Sequence, residues 1–443
     1  MRSISFSKRT RSEPSPLAQW LDRPRSQRWC VGSWIVATVV FIGITTMIGG
    51  LSRFDALLSI YSTWSIAHGN VACAFPPGSS VYFPVAAPLY PIVASGLAVL
   101  FRVGHGVPFP NQAALGNHCL NWLAPMHRWD VQSNALTPTL RFGYIGWIVL
   151  AAGIIAVMRS SGRGRNGWEP AVLIAVAFTP PVVSCLEVLF HPQDLLAMGL
   201  ILLGVSCAQR NAWALSGVLM GLAFESQQFA LLAIALLFVL VPAKRRLAFS
   251  LSTIATFAVI VLPLMALSSG RALRVALTGT GESGPLASSI PWEFHLTSSV
   301  ANDALRALPV AAVVVLAIWA RRRLSNAVME PAVLLSLLAT SMAIRLVFSG
   351  GLYGYYFMAS AVAIVLLDVV GRTFRIEVIL WLAVVALIFS PFEWANDRLT
   401  YGVAMWVWQL VLVTPTVALA ITPLISRVKS RRSSEPVDAW AES

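Results

Sequence analysis

Apolar residues in this chain are gathered into blocks of about 16 to 25, each long enough as a helix to cross a hydrocarbon core of roughly 30 Å, and the blocks recur almost to the C-terminus. Such a chain cannot hide its apolar surface in one aqueous core. It folds instead as a set of membrane helices, in which each segment satisfies its own backbone hydrogen bonds. Composition agrees, with 57% hydrophobic and 12% charged residues, where soluble domains carry about 25% charge. The expected fold class is an all-α polytopic membrane protein.

Twelve spans are predicted, near residues 31–50, 138–158, 170–190, 194–208, 212–225, 228–242, 247–267, 302–320, 330–348, 355–370, 376–391 and 402–425. Both termini then face the cytoplasm. A basic segment 1–30 precedes a single membrane domain, 31–426, and a tail, 427–443, follows it. Within the domain lie a long first extracytoplasmic loop, 51–137, and a second large outer loop, 268–301. The net charge of +13 invites a nucleic-acid reading, but the distribution of the cations answers it. Only Arg53, Arg102, Arg128, Arg141, Arg271, Arg274, Arg306, Arg345 and Arg398 fall outside or in the outer membrane half; the other Lys and Arg residues fall inside. This is the bias that orients membrane helices, so no nucleic-acid partner is needed. The segment Pro84 to Arg102 is apolar, yet counting it as a crossing would put the cluster Arg159, Arg163 and Arg165 outside. It reads as a juxtamembrane or re-entrant helix in the first loop, which is interrupted by many prolines. Two of the five cysteines, Cys73 and Cys119, share that loop. An oxidising outer face would permit them to bridge; two unrelated thiols are the alternative.

Chemistry-bearing residues gather on the predicted outer face. After the first span, Phe54, Leu57, Leu58, Tyr61 and Trp64 recur at helical spacing, while Asp55, Ser59 and Ser62 form a polar stripe. This helix would lie flat on the membrane and hold an ionised Asp55 carboxylate at the boundary, either as a proton acceptor or as an ordinary solvated group near a helix start. Glu187, His191 and Asp194 stand at i, i+4 and i+7 at the end of the third span. They read as a site for a cation, phosphate or sugar, or as an interfacial anchor. A metal there has little support, because Pro192 interrupts the helix and no second His is near. Glu225, Ser226, Gln227 and Gln228 join two apolar runs and would line a polar cavity, or else cap a turn. Gly217 and Gly221 just before them read as helix-packing glycines. Arg345, near the end of the ninth span, requires compensation in a membrane; it either snorkels to headgroups or binds a phosphate through its guanidinium fork. Tyr353, Tyr355 and Tyr356 follow at the same face. Two Gly-x-Gly-x-x-Gly stretches, from Gly162 and from Gly279, occupy loops without a βαβ unit and are set aside as nucleotide sites. The sequence contains no Walker A loop, HExxH or GxSxG.

In this order the pieces resemble the membrane glycosyltransferases of the type C fold (GT-C), particularly the polyprenyl-phosphate-mannose-dependent α-mannosyltransferases of bacterial envelopes, family 87. The resemblance runs through Asp55, Tyr61, His68-Gly69-Asn70 and Phe83-Pro84 to Pro88-Leu89-Tyr90-Pro91, then His191-Pro192-Gln193-Asp194-Leu195-Leu196, then Gly217 to Glu225. The stretch Glu225 to Gln228 departs from the family pattern by lacking its Lys and Pro. The resemblance implies a GT-C-like fold and an inverting transfer of a sugar, expected to be mannose, from a polyprenyl-phosphate donor to a glycolipid or glycan acceptor. It implies an active site on the extracytoplasmic side of the plasma membrane, with no certain cofactor. Asp55 would serve as the base, and Arg345 and His191, with Tyr355 and Tyr356, would hold the donor phosphate. Gln193, Asp194, Glu225, Gln227 and Gln228 are the candidates for sugar or acceptor. The rival reading is a secondary transporter or lipid flippase, which also needs many spans and buried polar groups. No internal repeat supports it.

Overall fold

The computed structural model of the chain describes residues 26–48, 62–67, 71–74, 87–102, 141–164, 167–188, 190–268, 299–348, 354–371, 375–388 and 409–434, with the single positions 23, 69, 270 and 273. Among the described residues there is no strand. The helices are α1 (Gln27–Ile48), α2 (Val71–Ala74), α3 (Leu89–Leu100), α4 (Tyr144–Ser160), α5 (Trp168–Ala177), α6 (Pro180–Val183), α7 (Pro192–Gln209), α8 (Trp213–Ser226), α9 (Ala230–Leu240), α10 (Ala243–Leu267), α11 (Ser299–Leu324), α12 (Pro331–Val347), α13 (Met358–Gly371), α14 (Ile376–Ile388) and α15 (Thr414–Ser434). Five stretches among the described residues are long and apolar enough to cross a membrane: Arg141–Ser160, Pro192–Gln209, Ala243–Leu267, Gly354–Gly371 and Val411–Ser430. The bent pair Trp168–Ala177 and Pro180–Leu186 makes a sixth. Shorter apolar helices, including Val31–Gly43, Trp213–Ser226, Ala230–Leu240, Pro331–Val347 and Ile376–Ala386, stand where further spans are expected. The protein is thus a multi-pass helical membrane protein. The Leu89–Leu100 helix has 12 residues, a length of about 18 Å, well short of a hydrocarbon core.

The core is built on the pair α4 and α7, which run parallel. Gly146 faces Pro192 and Leu195, Gly153 faces Gly199 and Leu202, and Gly199 in turn faces the Val149 and Leu150 backbone. The seven-residue spacing from Gly146 to Gly153, matched from Pro192 to Gly199, keeps one seam in register along both helices. Here glycine is required by close approach: a Cβ on Gly199 would stand 2.5 Å from the Leu150 nitrogen. Near the far end, Ser206 Oγ donates to the Ala156 carbonyl at 3.0 Å. A similar device joins α8 to α10, where Gly217 and Gly221 lie against Phe249, Ser252, Thr253 and Thr256. In lipid, where apolar surface gains nothing by leaving solvent, such close backbone packing supplies much of the association energy.

The third expected span, 170–190, is not one straight helix. Its two halves meet at 64°. Thr179 is extended at φ −67° and ψ 135°, and Pro180 and Pro181 follow it at the start of α6, so the helix cannot continue through them. Thr179 Oγ1 donates to the Val176 carbonyl at 2.7 Å and satisfies part of the broken ladder. A π-helical turn, Ser184–Val188, comes next. Phe190 then takes a left-handed φ of 48°, and Pro192 starts α7. The expected helical stripe of Glu187, His191 and Asp194 is therefore broken between its first and second members.

The chain reverses after each helix in this central part. From α7 it turns at Arg210 to Ala212 into α8, which lies antiparallel, with Met220 and Ser216 against Gly204. The bundle thus has two ends. One holds the starts of α4, α7 and α13 and the ends of α8 and α12; the other holds the ends of α4 and α7.

Gly199→Ala is expected to lower the thermal unfolding midpoint in detergent, at a cost of about 2 kcal/mol from overpacking. Gly32→Ala, whose added methyl meets nothing within 4 Å, is expected to leave the midpoint unchanged or slightly raised.

Candidate functional site

The break before α7 turns His191 inward. His191 is the N-cap of α7, at φ −114° and ψ 56°, and its amide donates to the Cys185 carbonyl at 2.6 Å. The ring is buried and stacks on Tyr355 with 4.0 Å between centroids and 12° between planes. Gln193 Nε2 donates to His191 Nδ1 at 3.0 Å, which leaves the ring proton on Nε2. Burial, assisted by the charge of Arg345, pushes the imidazole down to about 4. His191 is therefore neutral at physiological pH and offers an N–H donor in place of a cation.

Asp194, one turn into the same helix end, is buried. Gln227, just past the end of α8, donates its Nε2 to Asp194 Oδ1 and accepts at Oε1 from the Gln228 amide at 3.2 Å. The connection between α8 and α9 is therefore a polar turn bonded across to the start of α7. Arg345 approaches from the end of α12. Its guanidinium carbon stands 4.7 Å from the Phe229 ring centre and 5.0 Å from that of Tyr356. Tyr356 packs edge-on to Tyr355 at 4.5 Å. The Arg345 charge is felt at His191, Asp194 and Tyr355, so these groups form one electrostatic unit. Two aromatic faces, worth about 0.5 to 2 kcal/mol each, offset part of the cost of an Arg in a membrane segment.

Seven of the residues singled out in the sequence thus meet, namely His191, Gln193, Asp194, Gln227, Arg345, Tyr355 and Tyr356. Gln228 joins them through its backbone. Glu225 is fully buried on the last turn of α8, and neither of its carboxylate oxygens has a hydrogen-bond partner. Its neighbour Ser226 turns back on the Leu222 carbonyl at 3.1 Å. Asp194 Oδ2 and Gln193 Oε1 are likewise buried and unbonded. The cluster is thus rich in unbonded acceptors beside a guanidinium, a combination that suits a ligand carrying both hydroxyl groups and an anion. Among the described residues no three His, Cys, Asp or Glu side chains converge as a metal site.

Asp55 and Cys119 lie outside the described residues, and so does the Cys73 side chain, although its backbone belongs to α2. The Glu187 side chain is also outside them. Three contributors escaped the sequence reading. Phe229 lies under Arg345; its place directly after Gln228 was a signal. Phe190 meets Tyr90 at 6.4 Å, edge to face, and brings α3 to the site. Cys185 is buried within reach of the Asp194 and Arg345 charges, and nothing in its spacing marked it.

Gln227→Leu would strand a buried Asp194 oxygen and is expected to destabilise the protein by about 1 to 3 kcal/mol. Adding Asp194→Leu to it should recover part of that loss, so that the two effects are not additive in a thermal-unfolding mutant cycle. Strict additivity would show that the bond between them carries no energy.

A comparison with family models matches residues 123–350 to glycosyltransferase family 87. The matched stretch contains His191, Gln193, Asp194, Glu225, Gln227, Gln228 and Arg345, while Asp55, Tyr355 and Tyr356 lie beyond it. No curated protein matches the chain.

Proposed function

The chain belongs to glycosyltransferase family 87, and from that premise we propose that it is an inverting enzyme transferring a sugar, mannose in the first instance, from a polyprenyl-phosphate donor to a glycolipid or glycan acceptor on the extracytoplasmic face of the plasma membrane. The observation that carries this reading is the meeting of Arg345 with the neutral His191, the two tyrosines and the unbonded acceptors of Gln193 and Asp194 at one end of the helix bundle. Family membership favours this reading over a transporter.

In the proposed step the acceptor hydroxyl oxygen attacks the anomeric carbon, and Asp55 takes the hydroxyl proton. The bond from that carbon to the phosphate oxygen breaks, and its electrons leave with the polyprenyl phosphate. One displacement inverts the anomeric configuration. A phosphate ester departs as an anion, so no second carboxylic acid is needed to protonate it. Arg345 receives the growing charge on the leaving phosphate, and the His191 Nε2–H supplies a neutral hydrogen bond beside it. Gln193 and Asp194 accept hydrogen bonds from the sugar. The donor's polyprenyl tail stays in the bilayer while its head enters the site from the membrane end.

With purified protein, a polyprenyl-phosphate sugar and glycolipid acceptors, Asp55→Asn is expected to reduce transfer by at least about a hundredfold with folding retained, as loss of a general base does. Full activity in that variant would remove Asp55 from the mechanism. Arg345→Gln is expected to weaken donor binding by about tenfold or more, measured by donor titration, because a charge-assisted contact with phosphate is lost.

A further inference from the structure

The far end of α9 carries a second feature that sugar transfer does not use. There α9, the start of α10 and the end of α11 form an open cavity of about 380 Å³, lined by Phe238, Val239, Arg246, Ile318, Arg321 and Arg322, within the usual range for small-ligand sites. Arg321 donates to the Val239 carbonyl, so the ends of α9 and α11 are level. The Ala230 amide at the other end of α9 donates to the Gln227 carbonyl at 3.1 Å. The cavity and the candidate site therefore lie at opposite ends of the bundle.

Three guanidinium groups share this small volume without a carboxylate. Elsewhere Arg159 is held by Glu169 at 2.9 Å, Arg375 by Asp368 at 2.7 Å and Arg427 by Glu330 at 3.3 Å. Among the described residues no Asp or Glu pairs with Arg246, Arg321 or Arg322. The Val239 carbonyl takes one Arg321 N–H and cancels no charge. Arg246 lies 5.5 Å from the Phe238 ring centre, a contact that also leaves its charge in place. The C-termini of α9 and α11 offset about half a charge each, while the start of α10 adds about half, so most of the positive charge stands. Arg322 is exposed and the other two are half-buried, within reach of a ligand. The orienting bias of membrane helices asks only that cations lie on one side; it does not require three of them to converge on one cavity, where they repel unless an anion joins them.

Below the cations the surface is apolar and open. On α11, Ile318, Val315 and Leu308 share one face and are 38, 67 and 46% exposed; on α9, Phe238 and Leu231 stand seven residues apart and are likewise exposed. From Ile318 to Leu308 the helix rises about 15 Å, half of a hydrocarbon core of roughly 30 Å. The apolar track thus has the depth of one leaflet and starts at the cavity.

We propose that the cavity of Arg246, Arg321 and Arg322 binds the phosphate of an anionic phospholipid from the leaflet opposite the candidate active site. The phosphodiester sits among the guanidinium groups, whose planar forks suit phosphate oxygens, and an acyl chain descends along the Ile318, Val315 and Leu308 face. Chain burial beside the head distinguishes a lipid from a soluble anion. The inference stands apart from the proposed sugar transfer, since it involves none of its residues.

The test is binding of a fluorescent phosphatidylglycerol to the full-length protein in neutral mixed micelles, with phosphatidylcholine of the same chains, and inorganic phosphate, as competitors. Wild type is expected to prefer phosphatidylglycerol by about tenfold, the worth of one charge-assisted contact. The double variant Arg246→Gln with Arg322→Gln should abolish most of that preference, and so should Ile318→Trp, which fills the cavity and keeps every charge. Arg210→Gln removes an exposed cation from the end of α7, outside this cavity, and should leave the preference intact. Equal affinity of the wild type for the two lipids, an undiminished preference in either cavity variant, an equal loss in Arg210→Gln, or full displacement by millimolar inorganic phosphate would each overturn the proposal. Thermal unfolding of each variant shows whether it is folded; should the double variant not fold, Ile318→Trp alone decides.

Discussion

The parallel contact between α4 and α7 is the constraint on which the rest of the architecture depends. Gly146, Gly153 and Gly199 let two backbones approach to a distance that any side chain would forbid. In a bilayer that closeness is itself the source of stability, because dispersion contacts and interhelical bonds replace a driving force that water supplies elsewhere. Because the two helices run the same way and in register, their starts lie level with one another, and so do their ends. One level receives His191 and Asp194, and the other receives Arg159 and Arg210. The two faces of the protein are set by this single seam.

At the upper level of the seam the local chain is made irregular on purpose. The Pro180 and Pro181 break, the π-helical turn and the left-handed Phe190 together turn His191 from a position on a helix flank into the cap of a new helix. Non-helical backbone at membrane depth persists only where protein or a polar cavity satisfies it, and here the His191 amide finds the Cys185 carbonyl. The arrangement brings a neutral imidazole, a guanidinium and two phenol rings into one cluster. Arg345 is tolerable in its helix because Phe229 and Tyr356 cover it and Asp194 lies within its field. The same charge that needs this cover is the group best suited to meet an anion. The structural requirement and the use proposed for this residue coincide, as is common for ionisable groups in membranes.

The residue types of the site were legible before any fold was known. A polar group in an apolar block is conspicuous because burying it is costly, so His191, Gln193, Asp194, Glu225, Gln227, Gln228 and Arg345 announce themselves by position alone. Their grouping was less legible. Helical periodicity joined Glu187, His191 and Asp194 into one stripe, and the π-helical turn, the left-handed Phe190 and Pro192 undid it, since period arguments assume an unbroken ladder. Phe190 and Cys185 were invisible to the same reasoning, because an aromatic or a thiol in an apolar run reads as ordinary packing.

Hydropathy alone determined that this chain is a helical, multi-pass membrane protein, for spacing of apolar blocks against bilayer thickness is a one-dimensional property. It also picked out most of the polar residues that matter, since the cost of desolvating each one depends on its own neighbours along the chain. Which of those residues meet, and at which end of the bundle, was decided only by tertiary structure. Gln227 reaches Asp194 across 33 positions, and Arg345 reaches a ring far from it in sequence, because helix direction and glycine-mediated approach bring them level. Those quantities arise between segments and are written in no single one of them.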